Sequence, residues 1–205
     1  GWMGGVPQMV EWVDERRQNR MQGTPYLVTD KIWEATLEIL RSDLEDDNVG
    51  IIRTRINQLA NAAALHDDAS CVGVLATGAT TLCVDGGPLL STTHAESGVN
   101  QSNLTSNALS ETALADAWAA MTAYTDDHGN PLGIRPDVLL VGPKNGLTAK
   151  RLVESALLIA TGVGSSAATQ AGANPLAGMM QVIVTPHLTS TYDDYWFVLD
   201  TNRAL

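Results

Sequence analysis

Cysteine is scarce in this chain: Cys71 and Cys83 are the only two among 205 residues. Neither a disulfide framework nor the paired Cys-x-x-Cys of a zinc ribbon or redox site can be built from them, and two buried free thiols are expected. Basic side chains are also few, 12 against 23 acidic ones for a net charge of -11, with no run longer than Arg16-Arg17. That excludes the basic footprint of a sequence-specific nucleic-acid binder. No stretch approaches the roughly 20 continuous apolar residues of a membrane helix. The opening Gly1-Trp2-Met3-Gly4-Gly5 lacks the charged and apolar regions of a signal peptide. A soluble, cytoplasmic chain with no membrane partner is expected. It opens on a glycine and stops at Leu205 just after a strand-like run, as a piece of a longer protein would. Its length suffices for one sizeable domain, or a compact domain plus a smaller appendage, burying roughly 70% of the unfolded surface.

Signatures of catalysis are missing too. There is no Gly-x-x-x-x-Gly-Lys-Ser/Thr phosphate loop and no Gly-x-Gly-x-x-Gly fingerprint, and Gly142-Pro143-Lys144-Asn145-Gly146 reads as a strand-to-helix turn. Gly164-Ser165-Ser166 sits in a small-residue loop and forms no nucleophile elbow. His66, Cys71, Cys83 and His94 are zinc-ligand types at gaps that match no usual pair. Cys83 with His94 is a conceivable dyad if a hairpin brings them together, but a thiol on a buried strand is inert. The acidic cluster Asp43, Glu45, Asp46, Asp47 lacks the register of a calcium loop, and helix capping accounts for its position. No catalytic residue, metal or cofactor is predicted. The sequon Asn103-Leu104-Thr105 would matter only in a secreted protein.

What is present is a mixed α and β pattern without repeats. Residues 6–20 place Val6, Met9, Val10 and Val13 at helical spacing among charges, with Pro7 in the first turn. Residues 31–40 alternate strictly, with Trp33, Ala35, Leu37 and Ile39 on one face, which predicts a half-buried strand. After the acidic cluster, Val49, Ile52, Ile56, Leu59 and Ala63 mark a helix stripe to about His66, and a second helical piece covers 67–76, closed by Gly78. Asp46, Asp47 or Asn48 is expected to cap the first of these.

Asp85-Gly86-Gly87 between 80–84 and 88–92 predicts a hairpin, and the polar stretch 93–107 a loop. Ser110 should cap a helix burying Ala113, Leu114, Ala117, Trp118, Met121 and Tyr124, ended by Gly129-Asn130-Pro131. The apolar run Val138-Leu139-Leu140-Val141 predicts a buried strand, followed by a helix with Leu147, Leu152, Val153, Ala156 and Leu157 inward. A Gly/Ser/Ala-rich loop over 162–173, expected to be mobile, and strands over 179–185 and 195–199 complete a small sheet with helices against it.

Trp2 and Trp12 stand among charges in a stretch too short to build its own core, the aromatic and arginine composition of a protein interface. They serve equally well as packing on the main domain. Trp2-Met3-Gly4-Gly5-Val6-Pro7-Gln8-Met9-Val10-Glu11-Trp12 closely resembles the Trp-x-Gly-x-x-Pro-x-Met-x-Glu-Trp segment of the major head subunits of phage Mu and Mu-like prophages. Arg41-Ser42-Asp43-Leu44-Glu45-Asp46-Asp47-Asn48-Val49-Gly50 is similar to the same family's Arg-x-Asp-Ile-Glu-Asp-Asp-x-Leu-Gly signature. Weaker echoes follow in order at Leu82-Cys83-Val84-Asp85-Gly86, Thr93-His94, Asn174-Pro175-Leu176 and Trp196-Phe197-Val198-Leu199-Asp200. Leu89-Leu90 departs from the family's aromatics, and family members extend past both ends of this sequence.

The resemblance implies an α+β capsid fold of the Hong Kong 97 type: extended loop, peripheral domain with a long spine helix, and α/β axial domain. By that analogy 1–40 is the extended loop with its returning strand, 41–109 the peripheral domain and 110–205 the axial domain. It also implies a structural role: self-assembly into hexamers and pentamers of an icosahedral shell around double-stranded DNA held non-specifically. Trp2, Met9, Trp12 and Arg16 would be intersubunit contacts. Scaffold, protease and portal proteins would be partners, and the virion, assembled in the bacterial host cytoplasm, the location. The alternatives are an encapsulin-like compartment shell and a small α/β hydrolase using Cys83 and His94.

Overall fold

The computed structural model describes residues 31–45, 50–83, 86–96, 99–126, 129–159 and 171–202. Its core begins with the apolar run, which forms a strand, Val138–Val141, with all four residues buried. A strand apolar at every position needs cover on both faces, and this one is the centre of a three-stranded sheet. Numbered in chain order, it is β3. Its neighbours are β6 (Gln181–Val184), parallel, and β7 (Trp196–Leu199), antiparallel. The parallel pairing requires a crossover, which runs through helix α4, Pro143–Glu154.

Alternation along β3 separates two cores. Leu139 and Val141 point to one face, where they meet Leu114 of α3 (Glu111–Thr122) and Ala149, Leu152 and Val153 of α4. Leu140 points to the other and packs with Phe197 and Leu188 against Val72 and Ala76. Each such side chain contributes about 1.5–3 kcal/mol by leaving water. Val72 and Ala76 lie at the end of α2, Ile51–Ala76, so the last turns of this 26-residue helix lean on the sheet.

Helix α3 follows the sequence. Ser110 Oγ accepts from the Ala113 amide at 3.2 Å. Ala113 and Leu114 are buried, while Ala117, Trp118, Met121 and Tyr124 are half-buried. It stops at Thr122, short of Gly129, with Thr122 Oγ1 donating back to the Trp118 and Ala119 carbonyls at 3.1 and 2.9 Å. Gly129-Asn130 instead closes a separate reversal, in which the Asn130 amide nitrogens bond the Asp126 carboxylate at 2.8 and 3.0 Å.

Several expectations are corrected. The two helical pieces over 49–76 are one helix, α2, preceded by a short α1, Arg41–Glu45. Its cap position is Gly50 at a φ of 69°, with no side-chain cap; Asp46, Asp47 and Asn48 lie outside the described residues. In α4 the inward residues are Gly146, Ala149, Leu152 and Val153, while Leu147 is 84% exposed. The helix turns Gly146 inward because it packs tightly on β6: a Cβ there would lie 3.2 Å from Val184 Cγ2. Ala156 and Leu157 fall beyond its end, and Leu157 opens β4, Leu157–Ile159, which pairs antiparallel with β5, Ala171–Ala173. The rest of the small-residue loop lies outside the described residues. The 93–107 stretch contains a two-stranded hairpin, β1 (His94–Glu96) and β2 (Val99–Gln101). Among the described residues, the expected hairpin around Gly86 is present as a reversal with one bridge, Leu82 to Pro88. There the Gly86 amide donates to the Cys83 carbonyl at 3.1 Å, and a φ of 80° favours glycine.

Residues 31–40 form no strand, and every one of them is exposed. Alternation supplies two faces, but a strand also needs a hydrogen-bonding neighbour, and none of the described strands pairs with this segment.

Candidate assembly surface

Helix α2 determines the character of the molecule's surface. At about 1.5 Å per residue it spans about 39 Å, yet Val72 and Ala76 are its only buried residues. Ile51, Ile56, Leu65 and Val74 are half or more exposed. Ile52, Leu59, His66 and Gly73 are half-covered, and their spacing of seven traces one strip along the rod. Trp33 touches that strip, its ring 4.6 Å from the His66 imidazole in an edge-on arrangement, while remaining 66% exposed. Ile32 and Leu40 in the same segment are also largely in solvent. A helix and a neighbouring irregular segment that both present apolar side chains to water are what an unfilled protein interface looks like.

Two amide side chains tie the 101–103 segment to its neighbours, Asn103 to the 89–91 stretch and Gln101 to Thr125 beyond α3. Asn103 Nδ2 donates to the Leu89 carbonyl at 2.8 Å while its Oδ1 accepts from the Ser91 amide at 2.8 Å. Gln101 does the same to Thr125, at 2.8 and 3.1 Å, and the Tyr124 hydroxyl donates to the Ser102 carbonyl at 2.6 Å. Burial raises the Tyr124 pKa above its ordinary value. The Asn103 of the sequon is thus a structural amide, a role its motif gave no sign of.

The residues considered for chemistry are placed as follows. Cys71 is exposed on α2 and Cys83 half-buried at the reversal, which corrects the expectation of two buried thiols; both are free. His66 pairs with Ser70 at 3.4 Å, and His94 opens β1. Glu45 is engaged by Arg41 at 2.8 Å in an exposed pair, and Asp46 and Asp47 lie outside the described residues. Among the described residues no three His, Cys, Asp or Glu side chains gather into a metal site. Among them, too, no helix is long and apolar enough to cross a membrane. Trp2, Met9, Trp12 and Arg16 lie outside the described residues.

Solved phage capsid structures share this fold. The chain superposes on the capsid of bacteriophage JBD30 decorated with minor capsid protein trimers at a TM-score of 0.71, 22% identical, covering 92% of this chain and 84% of that one. For the procapsid of the same phage the TM-score is 0.65, again at 22% identity, covering 91% and 85%. The fold is therefore α+β, of the Hong Kong 97 capsid type.

The sequence narrows the class. The family described as Mu-like prophage major head subunit gpT matches residues 1–112 and 98–188, and the chain belongs to that family. It is 36% identical over 124 residues to the Mu-like prophage FluMu major head subunit of Haemophilus influenzae, covering 57% of this chain and 40% of that protein. To the major capsid protein of Escherichia phage Mu it is 36% identical over 86 residues, 42% of this chain and 28% of that one. The matched regions thus span less than half the length of either relative.

Proposed function

We propose that this chain is a structural major head subunit, building an icosahedral shell around double-stranded DNA through copies of itself arranged as hexamers and pentamers. The carrying observation is α2: a 26-residue helix with two buried residues and exposed isoleucines, leucine and valine presents apolar surface that the described residues leave uncovered, as a subunit interface would. Membership of a head-subunit family supports the same role and asks for no catalytic residue. In this reading 1–40 is an extended loop, 41–109 a peripheral domain with α2 as its spine, and 110–205 an axial domain around the sheet. Trp2, Met9, Trp12 and Arg16 bind a neighbouring subunit. Scaffold, protease and portal proteins act with it in the cytoplasm of a bacterial host, and the product is the virion.

A net charge of -11 suits a container whose wall must not grip packaged phosphate, since a strongly basic wall would bind it tightly. Electron microscopy of the full-length chain, co-expressed with its scaffold, should show capsomers or shells. A chain that stays monomeric under those conditions overturns the reading.

A further inference from the structure

Helix α4 carries an outward stripe of Leu147, Lys150, Arg151 and Glu154, spaced by three and four residues and exposed throughout. Leu147 is 84% exposed, the second most exposed large apolar side chain among the described residues after Ile32. From 56 to 202 the sequence holds just four basic residues, Arg135, Lys144, Lys150 and Arg151. Lys144 is taken by Asp193 and Asp194 at 3.3 and 2.7 Å, whereas Lys150 and Arg151 make no ion pair among the described residues. Two cations beside a solvated leucine, in a region otherwise dominated by acids, form a patch of definite polarity.

The complementary patch is on α3. Thr112, Ala115, Asp116 and Ala119 repeat the same spacing on its exposed side, with Glu111 adjacent, and neither acid has an ion-pair partner among the described residues. The small side chains allow a leucine to approach the helix closely, and the acids match the cations. The patches lie on two different helices that share one core, Leu114 of α3 packing in the same cluster as Ala149, Leu152 and Val153 of α4. Helix α4 packs over β6 and β3, while the segment entering α3 is tied to β7 by the Trp196 indole, which donates to the Asn107 carbonyl at 3.0 Å. β6 and β7 are the two outer strands.

We infer that Leu147, Lys150 and Arg151 of one copy dock on Ala115, Asp116 and Ala119 of the next copy, with Glu111 completing the charge match. Because two different patches meet, the contact is head-to-tail, and it closes into a ring when the rotation between copies permits. The inference rests on the head-subunit reading and names the contact that holds the axial ring together.

The test uses two full-length chains, both with Cys71→Ser and Cys83→Ser, one carrying Leu147→Cys and the other Ala119→Cys. After co-assembly and mild oxidation, a disulfide-linked dimer should form only in the mixture. Adding Lys150→Glu and Arg151→Glu to the first chain should lower the linked yield about tenfold, since like charges then face each other. Glu111→Lys and Asp116→Lys in the second chain should restore it. Capsomers that form normally without the linkage overturn this contact and leave the head-subunit reading standing. A Leu147→Cys shielded from thiol reagents yet unlinked means that something else covers α4, and also overturns it. Absence of both capsomers and linkage from otherwise unaltered chains rejects the head-subunit reading itself.

Discussion

The sheet body and helix α2 use similar apolar residues to opposite ends. β3 buries all four of its residues, and α4 buries four of twelve, so this half of the molecule completes its core from its own chain. α2 buries two of 26, both near its end. Its N-cap, Gly50, offers no side-chain hydrogen bond, and its first turn carries no acid. Apolar content therefore does not by itself make a core. What decides is whether a complementary surface exists in the same polypeptide, and for most of α2 the described residues offer none.

The largest expected effect tests that contrast directly. Leu139→Ala removes a fully buried side chain between α3, α4 and the sheet, and should cost about 2–5 kcal/mol in urea unfolding of the unassembled chain. Ile56→Ala, at a site 50% exposed, should change the same measurement by less than about 0.5 kcal/mol while reducing capsomer yield. Equal costs in the monomer would erase the distinction between the two regions. A silent monomer effect joined to an assembly defect would sharpen it.

A middle-sized effect is expected at Asn174. Its buried amide donates to the Leu152 and Ser155 carbonyls, each at 2.7 Å, and accepts from the Leu176 amide at 2.9 Å, closing the end of α4. Asn174→Ala leaves those groups without this partner and should cost about 1–3 kcal/mol, read as a lowered urea midpoint. Asn103→Ala removes the same kind of amide from an exposed position, where water can replace it, and should cost about 1 kcal/mol or less. A reversed order would mean that the contact of Asn103 with the 89–91 stretch, and not the end of α4, limits stability.

The same contrast explains what could be read from sequence. β3, β6, β7, the Ser110 cap and the α3 stripe were legible because each is decided locally, by periodicity, a capping hydroxyl or a continuous apolar run. The end of α4 was not, because Asn174 acts on it from about twenty residues downstream. Spacing alone turns Leu147 inward, since periodicity does not show that Gly146 must face Val184. Residues 31–40 read as a strand because alternation reports faces and not partners. The family was legible from two long motifs, although the four interface residues the resemblance implied lie outside the described residues, and the α3 and α4 patches became visible only once exposure was known.

The smallest effect lies where the sheet body meets solvent. Lys144, at the first turn of α4, bonds Asp194 at 2.7 Å and Asp193 at 3.3 Å, and these contacts, the Asp194 hydrogen bond foremost, raise its pKa above the ordinary 10.5. The folded chain thus holds this proton more tightly than the unfolded one. The stabilisation is fully present below the ordinary value and is lost as pH rises through the raised one. Because the group is exposed, the effect should be small and screened by salt. Lys144→Met should slightly lower the melting temperature at neutral pH and flatten this part of its decline in strong alkali, where the raised Tyr124 pKa contributes a separate loss of the same sign. A variant whose melting curve still tracked the parent's from neutral to strongly alkaline pH would show that the Lys144 contacts do not help fasten α4 to the 193–194 turn.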